Sequence, residues 1–276
     1  MNLIREEMER YYLQAKESER LSDARGELER MRTEAILARH LPPAPAVIFD
    51  VGGGAGVYAF PLARQGYQVH LIDPVELHLE QAKSRAAATG IALESIMLGD
   101  ARRLDVPSGK ADAVLLLGPL YHLVERADRL QALREARRIL KPGGNLFAAA
   151  VCRFASLIDG LASGFFRDPE FRKIVAADLA SGQHRNPTNQ LAYFTTAYFH
   201  LPEELAAEAG DAGFEDVQVL AVEGPAWSAA LFGPTWSDPA QRQSLLEFLS
   251  SVEREPSLAG SSAHLAAVAR RPDGRK

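Results

Sequence analysis

The sequence predicts an α/β protein with a doubly wound parallel sheet. Three observations carry this. A short apolar, β-prone run, Val47–Val51, leads directly into a glycine cluster and then a helical pattern. Three more apolar runs, at 68–73, 93–98 and 111–117, each follow a helical or turn segment. The run at 111–117 is apolar almost throughout, as a strand covered on both faces must be. Strands alternating with helices imply parallel pairing, because each crossover returns the chain to the same edge.

Residues 2–39 are charged and helical in period. Ile4, Met8, Tyr11, Tyr12 and Ala15 share one stripe, and Ala24, Leu28, Met31 and Ala35 share another. Gly26 argues against one unbroken helix, and the proline-rich Leu41-Pro42-Pro43-Ala44-Pro45 stops the pattern. Residues 1–45 therefore read as a helical cap; an outer layer packed away from any site is the open alternative. The first strand then runs into Asp50-Val51-Gly52-Gly53-Gly54-Ala55-Gly56, with a helix expected over 57–65. Glycines at a strand-to-helix turn let a ligand approach the main-chain N–H groups at the helix start. A dinucleotide site would place a third glycine at 57, where this chain has Val57.

The second strand, 68–73, ends in Asp73, 21 residues after Gly52. That is close to the roughly 20 residues expected of an acid that binds a ribose. A helix over 75–89 stops at Gly90, and the third strand, 93–98, runs into Gly99-Asp100-Ala101. The fourth strand leads into Gly118-Pro119-Leu120-Tyr121-His122. A helix over 129–140 presents Leu130, Leu133, Ala136 and Leu140 on one face, and Lys141-Pro142-Gly143-Gly144 ends it before a fifth strand at 145–151. Residues 153–200 interrupt the alternation with eight aromatic side chains, and we read them as helices that close over a substrate. An added layer of core is the alternative. A helix at 202–212, a sixth strand at 217–222, an excursion holding Trp227, a helix at 243–252 and a short last strand at 264–269 complete seven strands. The chain divides into a cap (1–45), a ligand-binding core (46–152), an insert (153–200) and the remainder of the core (201–276).

Composition narrows the function. The 276 residues are 47% hydrophobic, enough to bury a core. A net charge of −5 argues against nucleic acid or an anionic membrane as a main partner. The single cysteine, Cys152, excludes an internal disulfide framework and a cysteine-built zinc cluster, and no metal site is expected. Arg5, Glu6, Glu7, Glu9 and Arg10 stand where a secretory signal needs apolar residues, and no apolar run approaches the ~18 residues of a membrane span. A cytoplasmic protein is expected.

Together, the glycine corner, Asp73, Asp100, the strand into Gly118-Pro119-Leu120-Tyr121-His122 and Lys141-Pro142-Gly143-Gly144 resemble the motif series of class I S-adenosylmethionine (SAM) methyltransferases. The resemblance spans 46–151, 201–222 and 264–270. It is to the small-molecule kind, similar to ubiquinone and menaquinone biosynthesis methyltransferases. It implies a Rossmann-like sheet whose last strand is antiparallel. It further implies that Asp50, Gly52 and Gly54 hold the methionine end of SAM, Asp73 the ribose, and Asp100 with Ala101 the adenine. The backbone at Leu117 and Gly118 would line the sulfonium. Tyr11 and Arg20 match cap helices that fold across SAM in such enzymes, with Arg20 on the SAM carboxylate; a solvated helix charge is the equal alternative for Arg20. Enzymes acting on adenine or protein amides carry Asp/Asn-Pro-Pro-Tyr after the fourth strand, where this chain has Gly118-Pro119-Leu120-Tyr121. A small organic acceptor is expected instead.

Methyl transfer from a sulfonium is an in-line displacement, so much of the task is alignment in a dry pocket. A hydroxyl acceptor needs a base within hydrogen-bond reach. His122 is the first candidate, as its loop leaves the C-terminal edge of the sheet, and His200 is the second. Tyr121 is a candidate for positioning the acceptor, and Phe165, Phe166 and Trp227 are candidate walls. The products would be methylated acceptor and S-adenosylhomocysteine (SAH). Two other readings stay open: an NAD(P)-dependent oxidoreductase, which Val57 opposes, and a SAM-binding protein without turnover. Monomer and homodimer are equally compatible with the sequence.

Overall fold

The computed structural model describes Tyr11 and residues 23–188, 190–228 and 232–274. By contacts the chain divides into two units. One comprises 36–149, 205–218 and 267–276; the other comprises 1–35, 150–204 and 219–266.

The first unit carries the alternation read from the sequence. Helix α1 (Ala24–His40) ends in it and is followed by β1 (Val47–Val51), α2 (Ala59–Arg64), β2 (Gln68–Asp73), α3 (Glu76–Thr89), β3 (Ser95–Leu98) and β4 (Ala111–Leu116). Next come α4 (Pro119–His122), α5 (Arg126–Ile139) and β5 (Leu140–Cys152). The strands lie in the order β3-β2-β1-β4-β5, all parallel. Val51 pairs with Ile72 and Asp73 with Leu98, so the C-terminal ends of β1, β2 and β3 lie side by side. Strand β1 is covered on both faces, with Ile48, Phe49, Asp50 and Val51 all buried.

Lys141-Pro142-Gly143-Gly144 is a bulge within β5 and not a turn ahead of it. Ala111 pairs with Leu140 and Ala113 with Asn145, so the four residues loop out of register. Gly143 takes a left-handed φ of 74°. Lys141 Nζ binds Asp112 Oδ1 at 2.7 Å, and Asp112 Oδ2 accepts the Val47 N–H at 2.8 Å. The motif therefore pins the start of β1 to β4 and β5.

The second unit holds most of α1 and the stretch after β5: α6 (Ala155–Ser163), α7 (Pro169–Ser181), β6 (Gln183–His184) and β7 (Ala197–His200). Helix α8 (Pro202–Asp211) passes to the first unit, and β8 (Glu215–Ala221) returns. Helices α9 (Phe232–Ser237), α10 (Pro239–Val252) and α11 (Pro256–Ala259) precede β9 (His264–Arg270). Gly26 lies inside α1 without breaking it; Asp23 Oδ1 accepts the Gly26 N–H at 2.7 Å and caps that helix.

The described sheet has nine strands where seven were expected. The two additional strands, β6 and β7, lie in the stretch read as helices. β7 runs parallel beside the end of β5, pairing Val151 with Phe199 and Cys152 with His200, and β6 pairs antiparallel with β7. Ala197-Tyr198-Phe199-His200 is short and aromatic, and an open edge at the end of β5 was not visible in the sequence. β9 is antiparallel to β5: Cys152 N–H donates to Ala263 O, and Arg271 N–H donates to Gly144 O. The aromatics of the insert form a core of their own. Phe171 and Tyr193 are buried with ring centroids 4.7 Å apart, and Phe165 and Phe166 pack against them. Phe165 and Phe166, the candidate walls, are half-buried and pack against this cluster.

Candidate active site

The site of the first unit is built where β1, β2 and β4 end. Gly52 turns the chain with φ 73° and donates its N–H to Ile72 O at 2.7 Å. A Cβ on Gly52 would lie 2.6 Å from the Pro119 ring, so the turn after β1 meets the loop after β4 closely. Gly118 closes the same contact, since its Cβ would lie 3.1 Å from Gly52 O. Gly54 also takes a left-handed φ, of 56°, yet a Cβ there would touch nothing within 4 Å. The space above Gly54 is open, which is what a main-chain ligand cradle requires.

Two acids frame this turn. Asp50 is 1% exposed, and neither carboxylate oxygen has a hydrogen-bond partner among the described residues. Burial, with a smaller contribution from the Asp73 charge, pushes its carboxyl up to about 7. A buried carboxylate without partners is costly unless something cationic or hydrogen-bonding meets it. Asp73, also buried, is well held. Its Oδ2 accepts the Gly54 N–H at 2.9 Å, and its Oδ1 takes the Val75 N–H at 2.9 Å and His78 Nδ1 at 3.0 Å. A carboxylate offers about four lone-pair sites, so one remains for a ligand hydroxyl.

Asp100 follows through Gly99, whose N–H donates to Asp73 O at 3.1 Å. Its carboxylate is engaged by Arg102: Nε at 3.0 Å, a terminal nitrogen at 2.6 Å and the main-chain N–H at 2.9 Å. Arg102 also reaches Asp128 at 2.7 Å, and these bonds raise the guanidinium above its ordinary value. Ala101 is buried beside Asp100, and Leu117 is half-buried just past the end of β4. Tyr121 and His122 lie on the short α4 with ring centroids 4.5 Å apart. The Tyr121 hydroxyl sits 3.7 Å from where a Gly118 Cβ would be, which places it beside the glycine turn. The structure thus brings Asp50, Gly52, Gly54, Asp73, Leu117 and Tyr121 to one edge, with Asp100 and Ala101 adjoining.

The other expected residues belong to the second unit or lie outside the described residues. Tyr11 is half-buried, its ring edge-on to Phe194 at 5.5 Å. His200 is fully buried at the end of β7, its ring 4.7 Å from Tyr198. Arg20 lies outside the described residues. Two histidines that sequence reasoning passed over stand in polar clusters. His78 supports Asp73, and a histidine five residues beyond a strand-end acid was the available signal. His264 opens β9 and binds Glu223, which lies just past the end of β8. Among the described residues no helix is long and apolar enough to cross a membrane.

Residues 48–144 match the family model described as a methyltransferase domain. The chain is 36% identical over 128 residues to a ubiquinone biosynthesis O-methyltransferase of Methylocella silvestris, covering 44% of this chain and 47% of that protein. It is 32% identical over 127 residues to the ubiquinone/menaquinone biosynthesis C-methyltransferase UbiE of a Caulobacter species, covering 43% and 49%. The chain spans about half the length of the curated relatives it matches. Among solved structures it resembles a Thermotoga maritima SAM-dependent methyltransferase described as a possible histamine N-methyltransferase. The TM-score is 0.59 at 18% identity, over 97% of this chain and 99% of that one.

Proposed function

We propose that this chain, whose residues 48–144 are a class I SAM-dependent methyltransferase domain, transfers a methyl group from SAM to a small organic acceptor. The receiving atom is nitrogen or oxygen in preference to carbon. The observation that carries the reading is the Asp50 carboxylate, buried and without a partner among the described residues beneath an open glycine turn. The α-ammonium of a bound amino acid is the group it lacks, and a charge-assisted bond there is stronger than a neutral one.

SAM would supply a methyl already activated on a sulfonium, and the chain's own residues would do the rest. Gly52 and Gly54 shape the turn, and their N–H groups hold it in place on Ile72 O and Asp73 Oδ2. Asp73, fixed by Gly54, Val75 and His78, keeps one lone-pair site for a ribose hydroxyl. Asp100 and Ala101 are assigned to the adenine and the main chain at Leu117 to the sulfonium side. Tyr11 and Arg20 are assigned to the cofactor as the cap's contribution. Tyr121 positions the acceptor, and His122 and His200 are candidates for proton transfer. Acceptor choice is assigned to residues 1–40, the 118–123 loop and the stretch 153–236. The O-methyltransferase relatives support oxygen, and the C-methyltransferase relatives make carbon acids part of the test.

Calorimetry tests the reading. SAM and SAH should both bind, and Asp73→Ala should weaken each by about tenfold or more, the cost of about one charged hydrogen bond. Binding indifferent to Asp73 overturns the site. A labelled-SAM screen of amines, phenols and carbon acids then identifies the receiving atom.

A further inference from the structure

Three N–H donors converge on Asp73 at the end of β2. Oδ1 takes the Val75 N–H at 2.9 Å and His78 Nδ1 at 3.0 Å, and Oδ2 takes the Gly54 N–H at 2.9 Å. Two of these donors are main-chain groups. The Val75 bond is the local turn in which an aspartate accepts from the backbone two residues on, and Pro74 restricts the chain between them. The Gly54 bond comes from the glycine turn. His78 is different in kind, because a side chain is brought to the same oxygen from a helix.

The start of α3 explains how. The helix begins at Glu76, and the His78 N–H closes onto Val75 O at 3.1 Å. Glu76, Leu77 and Glu80 face outward, whereas His78 and Leu79 are buried. His78 is 6% exposed and Asp73 4%, so a polar ring has been turned inward onto a buried acid. Burying such a ring is costly unless its polar atoms are bonded. A carboxylate only accepts, so His78 Nδ1 carries a proton and donates it to Oδ1.

Lone pairs then limit what Asp73 can hold. A carboxylate offers about four lone-pair sites, two on each oxygen. Val75 and His78 fill both on Oδ1, and Gly54 fills one on Oδ2. Among the described residues one site is left, on Oδ2. A ribose presents two neighbouring hydroxyls, and an acid with a site open on each oxygen can accept from both.

We propose that His78 is a positioning and specificity-determining residue of the cofactor corner: by filling the second site on Asp73 Oδ1, it restricts the acid to one of the two ribose hydroxyls. The inference rests on the SAM reading above, and Gly54, Asp73, Val75 and His78 all belong to the first unit. Asp73 accepts from the 2′ or the 3′ hydroxyl and leaves the other unread. Cofactor analogues that lack the unread hydroxyl therefore bind as well as SAH. Without the imidazole, Oδ1 regains a site, the carboxylate is less firmly oriented, and the second hydroxyl is read as well.

Calorimetry on the full chain with SAH, 2′-deoxy-SAH and 3′-deoxy-SAH tests this. In the wild type, one deoxy analogue should bind about tenfold or more weakly than SAH, and the other within about twofold of it. The ratio of the two analogue affinities is the readout, because a merely structural role for His78 would weaken all three ligands alike. His78→Leu should bring that ratio close to one. His78→Asn places an amide N–H where Nδ1 stands and should restore it. Equal losses for both analogues in the wild type, or a loss for neither, overturn the inference without any variant. A wild-type ratio that persists in His78→Leu also overturns it. So does a ratio lost equally in His78→Asn, which would assign the effect to the bulk of the ring. No binding of SAH itself sinks the SAM reading and this inference together; SAH binding with any of the other failures sinks the inference alone.

Discussion

The Gly54 N–H donates to Asp73 Oδ2 across 2.9 Å, and this bond ties the turn after β1 to the acid that ends β2. Gly52 and Gly54 serve that turn differently, and alanine should separate their roles. Gly52→Ala puts a Cβ 2.6 Å from Pro119 at a left-handed φ, so strain and collision both oppose it. It should cost at least the ~1–3 kcal/mol of a strained backbone position and lower the melting temperature by several degrees. Gly54→Ala meets open space and carries only the conformational cost of roughly 1–2 kcal/mol. Its methyl points where a ligand must approach, so SAH affinity should fall about tenfold or more beyond the stability loss. Thermal unfolding and calorimetry on the two variants check the contrast.

Asp50 predicts a pH dependence of definite sign. Its folded carboxyl is raised to about 7, above the unfolded value of 3.8, so the folded protein binds the proton more tightly than the unfolded chain does. Without ligand, stability should be highest below about pH 4, fall as pH rises toward 7, and level off above it. The slope should approach but not exceed about 1.4 kcal/mol per pH unit from this group. Asp50→Asn should flatten that slope. SAM affinity should run the other way, weakening below pH 7 because the ionised carboxylate is the form that meets an ammonium. Urea unfolding and calorimetry between pH 5 and 8 test both halves, and an affinity independent of pH in that window would falsify the pairing.

The core of the fold and the glycine corner with its acids were legible because periodicity and strand-end acids are local signals. Asp50, Asp73 and Asp100 each sit within two residues of a strand end, where the sequence places them without any tertiary knowledge. The insert was read as helices, and it holds β6 and β7 besides α6 and α7. Its aromatics look alike in a sequence whether they line a pocket or pack on one another, and only the contacts among Phe165, Phe166, Phe171 and Tyr193 make them a core. β7 escaped notice because four residues are too few for periodicity to register, and its pairing partner lies some fifty residues back on β5. His264 and Glu223 were illegible for a related reason. They are 41 positions apart and meet only because β9 returns beside β8.

Arg129 should prove a stability determinant close to the candidate site. It is 2% exposed, and its guanidinium binds the buried Glu208 in a fork at 2.7–3.1 Å. Its other terminal nitrogen takes the carbonyls of Leu123 and Val124, directly behind Tyr121 and His122. Arg129→Met would leave the Glu208 charge buried and the two carbonyls without this donor. The expected cost is about 3–5 kcal/mol, the range for breaking a buried pair from one side. Replacing both partners, Arg129→Met with Glu208→Leu, should recover part of that loss in denaturant titrations. Recovery of stability without recovery of methyl transfer would show that the carbonyl contacts set the 118–123 loop.

Arg102 carries the last prediction, because it separates what holds Asp100 from what Asp100 holds. The pair is more than a third exposed on each side, so its contribution to folding is screened, and Arg102→Ala should cost under about 1 kcal/mol. The carboxylate it releases is another matter. Arg102 occupies three lone-pair sites of Asp100 and fixes its plane. Without the guanidinium, Asp100 keeps the main-chain N–H at 2.9 Å and loses the forked pair that fixes its plane. Preference for SAH over S-inosylhomocysteine, which lacks the adenine amino group, should therefore drop several-fold in Arg102→Ala, and Asp100→Ala should abolish it. Arg102→Lys should restore little, because one ammonium cannot reproduce a forked pair. Equal loss of affinity for both ligands would instead place Arg102 in general electrostatics and remove Asp100 from the adenine.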